Sequence, residues 1–292
     1  MSSLTALANT EVRGQEGVRA VTDLEVAFFQ ENGWVLMPNL LTTHLCAAML
    51  ERGQPKLAGA LGSGGATFDN LQQKLAHMRV SGTDEGTVTD NAKWVEWRGA
   101  VRIAQDEMFC RAALASTMGF NVQRLLGRSK PIRVYHDIFM CKLPDEASTK
   151  TGWHQDSPNF PLDRNALTVW IALDEITVDQ GSLQFYSGSH RCGLLGKNAP
   201  DPALDLLDEY PEVARFPLSP PHHLKPGDAT VHHGLTVHGA GANYTHRPRW
   251  SYAVAYFPSD ARYTGAPNHD CDGFDLKPGQ PIEHPSFSMV AD

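Results

Sequence analysis

Beyond Pro131 the chain is written in short alternating or β-branched runs. They are Arg133–Lys142, Leu167–Leu173, Leu183–Tyr186, Ala229–His233 and Ser251–Phe257, separated by Gly, Pro, Asn and Asp. Regularly spaced short strands with this punctuation specify an all-β sandwich or barrel. The first part reads differently. Asp23 to Glu31 predicts a short helix with Val26, Phe28 and Phe29 on one side, stopped at Asn32-Gly33, and Trp34–Met37 predicts a strand ending at Pro38. Thr43 is placed to cap a helix from His44 to Leu61 that carries Leu45, Ala48, Met49 and Ala58. Further helical stretches are expected over Trp94–Gln105 and Phe109–Leu126, the second closed by Gly127. Helices first and strands second define an α+β class with a mainly β core, the helices packed against one face.

No repeat and no Pro/Gly-rich linker divides the sequence, so residues 1–292 are expected to form a single domain. Residues 1–20 show no sustained period and are expected to fray. Residues 62–92, rich in Gly, Ser, Thr and Asp, read as a surface excursion or substrate loop, and the proline-rich stretch 259–292 as a wrapping tail.

Composition removes several functions. With 25 Lys+Arg against 33 Asp+Glu, the net charge of −8 lacks the basic clusters that nucleic acid requires. No apolar run approaches the roughly 18 residues of a membrane span, and Met1–Gly14 lacks a signal-peptide pattern. Five scattered cysteines without a CxxC fit reduced thiols, so a cytoplasmic location is expected. Monomer and homodimer both stay open. Histidine is in excess: of 13, six (His222, His223, His232, His233, His238, His246) fall between positions 222 and 246, which makes a metal site worth testing.

Gly152-Trp153-His154-Gln155-Asp156 sets His154 and Asp156 two residues apart, so on a strand both face one point. His238 follows a strand and precedes Gly-Ala-Gly, where the chain can approach a site closely. Two imidazoles and one carboxylate on one face leave three positions of an octahedral ion open, which suits non-haem Fe(II). Arg249 lies 11 residues beyond His238, at the head of the last strand. A strand returning beside the one before His238 would aim it into the same cavity, where its planar fork binds a carboxylate. Ser251 shares its face and offers a second hydrogen bond. Arg247 is the local competitor, and a surface ion pair is the plainer role for Arg249. His233 is expected to pack or hydrogen-bond beside the site, and His222, His223 and His246 to sit in turns.

From about Leu24 to Phe257 the chain resembles the phytanoyl-CoA dioxygenase family of Fe(II)/2-oxoglutarate oxygenases. The resemblance is carried by several blocks in order: Phe29–Pro38, Tyr135–Pro144, Trp153-His-Gln-Asp156, Thr168–Asp174, Gly181–His190, Lys225–Asp228, His233–Asn243 and Arg247-Pro-Arg249. It implies a double-stranded β-helix, a jelly-roll barrel with the site at its mouth. By the same resemblance His154, Asp156 and His238 bind iron and Arg249 holds the distal carboxylate of 2-oxoglutarate. Trp170 and Thr168 line the cosubstrate pocket, which Ser251 and Ile138 also reach. Ile138, Ala240 and Ser187 stand where relatives often carry other residues. The implied reaction uses Fe(II), 2-oxoglutarate and O2, releases succinate and CO2, and oxidises an unactivated C–H bond.

Retention of Asp156 weighs against halogenation, which needs that coordination position for chloride. Trp153, Asn159 and Phe160 are candidate substrate contacts, and no basic patch favours a CoA ester. A small hydrophobic, secondary metabolite is the expected substrate, with hydroxylation, desaturation and cyclisation all open. Two competitors remain: a cupin-like Zn or Mn hydrolase or isomerase on the same three ligands, and a non-catalytic metabolite-binding barrel.

Overall fold

The chain enters through helix α1 (Asp23–Asn32), closed at its start by a reciprocal cap in which Thr22 Oγ1 accepts from Glu25 N and the Glu25 carboxylate accepts from Thr22 N. It passes directly into β1 (Trp34–Met37). Helix α2 (Thr43–Ala60) starts one residue earlier than the sequence suggests, because Thr42 and not Thr43 accepts the hydrogen bond from Leu45 N. These features belong to a computed structural model, which describes residues 17–60, 81–83, 86–90, 95–144, 150–196 and 206–290.

The helix expected over Trp94–Gln105 is instead a short strand, β4 (Val95–Arg98), followed by a turn over 100–103. Val95 and Trp97, each 1% exposed, alternate into the core, and that period of two outweighs helix propensity. The expected helix over 109–126 is two, α3 (Glu107–Ala113) and α4 (Ser116–Leu126). Ala115, with φ −56 and ψ 138, breaks them apart. The second half of the 62–92 excursion contains a hairpin, β2 (Ser81–Thr83) with β3 (Gly86–Asp90), which extends a sheet through β4. Residues 61–80 lie outside the described residues, as do 1–16.

The strand-rich half follows the predicted runs closely. It comprises β5 (Ile132–Lys142), β6 (Thr151–His154), β7 (Leu167–Ala172), β8 (Leu183–Phe185), β9 (Ala229–His233), β10 (His238–Ala240) and β11 (Arg249–Pro258). A short helix α5 (Leu206–Glu209) precedes β9. Two antiparallel sheets result, a large one ordered β1-β9-β7-β11-β5-β4-β3-β2 and a small one ordered β6-β10-β8.

Alternation gives the large sheet two faces. Val169, Ile171, Val231, Tyr252 and Val254 pack on the helices through Met49, Phe109, Met118 and Val122. Trp170, Ala172 and Ala253 point the other way, against Leu183, Phe185 and Ala240 of the small sheet. This is a double-stranded β-helix with helices on its outer face. Residues beyond β11 run irregularly over one end, where Cys271, Ile282 and Phe287 pack against Tyr135 and Phe257.

Candidate metal centre

Strands β6 and β10 pair with His154 directly opposite His238, which brings the ring centroids to 4.2 Å. The Nδ1 of His154 lies 2.9 Å from Gly152 O, and the Nδ1 of His238 lies 2.9 Å from Thr236 O. A carbonyl only accepts, so each Nδ1 carries the proton and each Nε2 presents a lone pair. Gly239, next to His238, points outward with the Trp153 ring over it, so a Cβ there would meet that ring at 3.0 Å.

Asp156 reaches the same point by another route than the sequence suggests. Strand β6 stops at His154, and Asp156, at φ −78 and ψ −34, opens a 3-10 turn over Ser157–Asn159. Its Oδ1 is 3.7 Å from His154 Nε2 and 3.6 Å from His238 Nε2. One donor atom from each of the three residues lies within 4.8 Å of the others, so a single cation can touch all three. The intervening Gln155 faces away and anchors the turn. Its Nε2 donates to Gly193 O and Leu235 O, and its Oε1 accepts from Leu195 N.

His232, which the sequence did not single out, completes the arrangement. It lies on β9, cross-strand from Thr168 on β7. His232 Nε2 is 3.0 Å from Asp156 Oδ2, and Thr168 Oγ1 donates to the same oxygen at 2.6 Å. Thr168, expected in the cosubstrate pocket, thus spends its hydroxyl hydrogen bond on Asp156. The missed signal was period: within Ala229–His233, Thr230 and His232 hold the positions that face the barrel.

Burial alone would raise the Asp156 pKa, but His238, His232 and His154 around it hold it well below the usual carboxylate range. Burial, aided by His232 and His154, pushes His238 well down. An ionised carboxylate beside a neutral imidazole is the donor state that a cation needs.

A second polar feature lies further along the barrel. Strand β11 runs between β5 and β7, not beside the strand that leads to His238, and Arg249 is opposite Lys142. Arg249 still points inward: it is 5% exposed, its Nη1 donates to Gly181 O, and its guanidinium carbon stands 5.0 Å over the Trp170 ring. Arg249 Nε and Ser251 Oγ are buried without a hydrogen-bond partner among the described residues. Burial lowers the Arg249 pKa to about 10, which keeps it cationic at neutral pH. A buried guanidinium with an unused donor beside an unused hydroxyl fits an anion. Ile138, cross-strand from Ala253, shares this face.

Other expected residues fall elsewhere. Arg247 pairs with Asp174 and Glu175 at the surface. Trp153 lies on the outer face of the small sheet, 4.8 Å from Tyr186, so it packs away from the histidines. Phe160 packs on Tyr135 and also borders a cavity that begins at Ser157, and the Asn159 carbonyl accepts from Asn268 Nδ2. His233 Nδ1 accepts from Leu235 N, while His223 pairs with Glu175.

A jelly roll that gathers two histidines and a carboxylate, with a buried arginine deeper in the same barrel, defines the double-stranded β-helix class with a facial metal triad. Within that class the chain belongs to the phytanoyl-CoA dioxygenase (PhyH) family, whose sequence profile matches residues 29–251. A probable phytanoyl-CoA dioxygenase of Caenorhabditis elegans is 28% identical over 148 residues, 48% of this chain and 47% of that protein. The chain thus spans about half the length of the curated relatives it matches first. Two solved structures from nogalamycin biosynthesis match more fully. The non-heme alpha ketoglutarate dependent carbocyclase SnoK is 26% identical, with TM-score 0.69 over 93% of this chain and 97% of that one. The epimerase SnoN, described in the same terms, is 25% identical, with TM-score 0.63 over 92% and 98%. The donor set and the anion subsite fit the two groups these comparisons imply, iron and 2-oxoglutarate.

Proposed function

We propose that this chain is an Fe(II)- and 2-oxoglutarate-dependent dioxygenase that oxidises an unactivated C–H bond of a small hydrophobic secondary metabolite. The observation that carries the reading is the joint presence, on one barrel interior, of the His154–Asp156–His238 cluster and the separate anion subsite at Arg249. His154 Nε2, His238 Nε2 and Asp156 Oδ1 hold the metal. Arg249 and Ser251 hold the distal carboxylate of the cosubstrate, with Trp170 beneath the guanidinium and Ile138 on the wall. The buried Ala172, Ala240 and Ala253 in the interior are short enough to leave room for an extended dicarboxylate. When bound, iron and 2-oxoglutarate supply the oxidation, coupled to release of succinate and CO2.

The chain's own task is to place the substrate and keep water away. Among the three donors, His154 is the most open, its side chain 26% exposed against 5% for His238, so substrate approaches over His154. A cavity of about 580 Å³ begins at Ser157, next to Asp156, and is lined by Pro158, Phe160, Leu162, Leu194 and Leu235. Its size suits a small molecule, and Asp163, Arg164, Asn165 and Thr264 on the same walls offer polar contacts beside the apolar ones. The likeness to SnoK and SnoN supports a secondary metabolite and ring closure or epimerisation as outcomes beside hydroxylation.

Anaerobic addition of Fe(II) and 2-oxoglutarate tests the reading through their weak visible charge-transfer band. The band should appear in the wild type and vanish in His154→Ala, Asp156→Ala and His238→Ala. A metabolite panel should then reveal substrate-dependent succinate. Absence of the band with tight zinc binding would favour a hydrolase, a reading that has no use for Arg249.

A further inference from the structure

Asp156 sits on a turn beyond the end of β6, so the sheet that fixes His154 and His238 does not fix its carboxylate. A carboxylate has two oxygens and can give a cation one or both. We propose that His232 is a positioning residue which, with Thr168, captures Asp156 Oδ2, so that Asp156 meets the metal through Oδ1 alone and one coordination position stays open for a reactant. The proposal rests on the metal-centre reading above.

Oδ2 receives Thr168 Oγ1 at 2.6 Å and His232 Nε2 at 3.0 Å. Two donors use both of its lone pairs, and hydrogen bonds to an ionised acceptor are the strong ones. Oδ1 is left facing the two ligand histidines. Both donors come from the large sheet, where Thr168 and His232 are direct cross-strand partners. His232 cannot easily yield. It is 2% exposed, its strand is paired on both sides, and its ring lies 4.1 Å from that of His238 and 5.5 Å from that of Phe185. Although its ring is as close to His238 as the ring of His154 is, its Nε2 is committed to Oδ2. With a single-oxygen carboxylate the three donors leave three of six positions. A chelating cosubstrate takes two, and dioxygen needs the third. A carboxylate released to bind through both oxygens would take that last position.

Co(II) provides a readout independent of turnover, because its visible absorption reports coordination. Wild type, His232→Phe, His232→Gln and Thr168→Val are titrated with Co(II), with near-UV circular dichroism as the folding control and His154→Ala as the site control. His232→Phe keeps the ring and removes the donor, and should weaken Co(II) binding by about 10–100-fold and alter its spectrum. His232→Gln restores a donor at the same reach and should recover most of both. Thr168→Val should shift the spectrum in the same direction, and carries the test if His232→Phe does not fold. A natively folded His232→Phe with wild-type Co(II) affinity and spectrum would overturn the proposal, as would a Gln variant no better than Phe. The two readings can fail separately. A wild type that binds Co(II) through His154 but gives no Fe(II)/2-oxoglutarate band would end the dioxygenase reading, and the Co(II) series would still judge His232. A wild type that binds no Co(II) would end both.

Discussion

Gln155→Leu isolates the device that turns Asp156 toward the histidines. Gln155 is 1% exposed and makes three hydrogen bonds to backbone, at 2.9 Å to Gly193 O, 2.7 Å to Leu235 O and 2.7 Å from Leu195 N. Leucine is close in volume, so the change leaves little cavity and mainly orphans those three groups. A buried backbone group left without a partner costs about 1–3 kcal/mol. Gly193, Leu195 and Leu235 are only half-buried, so water can reach their backbone and the lower end applies, about 3 kcal/mol in all. At roughly 2–4 °C per kcal/mol for a large domain, the melting temperature should fall by about 6–12 °C. The same change frees the turn, so Co(II) affinity should drop together with stability. Calorimetry of the metal-free protein and a Co(II) titration measure the two effects. A melting temperature within about 2 °C of wild type, with unchanged affinity, would show that the turn is held by something else.

Arg249→Ala should raise the 2-oxoglutarate requirement at least tenfold, about 1.4 kcal/mol of binding, with little effect on Co(II) affinity; equal losses in both would remove its assignment to the cosubstrate. Gly181→Ala should destabilise by about 1–3 kcal/mol, because φ is +71 and the new Cβ would stand 2.2 Å from Gly241 O. It should also weaken 2-oxoglutarate binding, since Gly181 O is the acceptor of Arg249, and a titration of the folded variant checks this. Burial, with His190 and His232 nearby, lowers the His233 pKa to about 4, whereas an unfolded imidazole titrates near 6.5. The unfolded state therefore binds more protons between those values, and the stability His233 contributes above about pH 6.5 fades as pH falls toward 4. Urea denaturation of the metal-free protein across that window should show a shallower pH slope in His233→Gln than in wild type, and parallel slopes would refute it.

The strand runs were legible because alternation and punctuation are local. Ala229–His233 is bounded as the pattern has it, and the other runs differ by a residue or two at their ends. Val95–Arg98 was not legible as a strand, since four residues carry too little period to compete with the helical texture around them. The geometry of the histidines and of Arg249 was partly readable. His154 and His238 converge as spacing and resemblance suggest, but Asp156 arrives by a turn and Arg249 from between β5 and β7. Which strands become neighbours is decided by long-range pairing that no local spacing encodes. His232 was hidden for the same reason, because its importance comes from Thr168 and Asp156, 64 and 76 residues away.

The site is divided between the sheets, and that division gives a meaning to Ser187. The metal donors belong to the small sheet and the turn beyond it, while His232, Thr168 and Arg249 belong to the large one. Three short strands cannot hold their own position, so ties between the sheets must hold it. Lys142 Nζ donates to Gly241 O at 2.7 Å, Trp34 stacks on Phe185 at 4.9 Å, and the Trp34 indole N–H donates to Ser187 Oγ at 2.9 Å. Ser187 N also donates to Pro217 O at 2.8 Å. Ser187→Pro would lose both Ser187 bonds, about 2 kcal/mol, whereas Ser187→Ala loses one, about 1 kcal/mol. The cost should reach the metal, because Phe185 is the cross-strand partner of His238. A double-mutant cycle of Ser187→Ala with Trp34→Phe should give a coupling of about 1 kcal/mol in stability, accompanied by weaker Co(II) binding in each single variant. Additive effects would mean that the indole bond does not tie the sheets, and that stacking of Trp34 on Phe185 carries that contact alone.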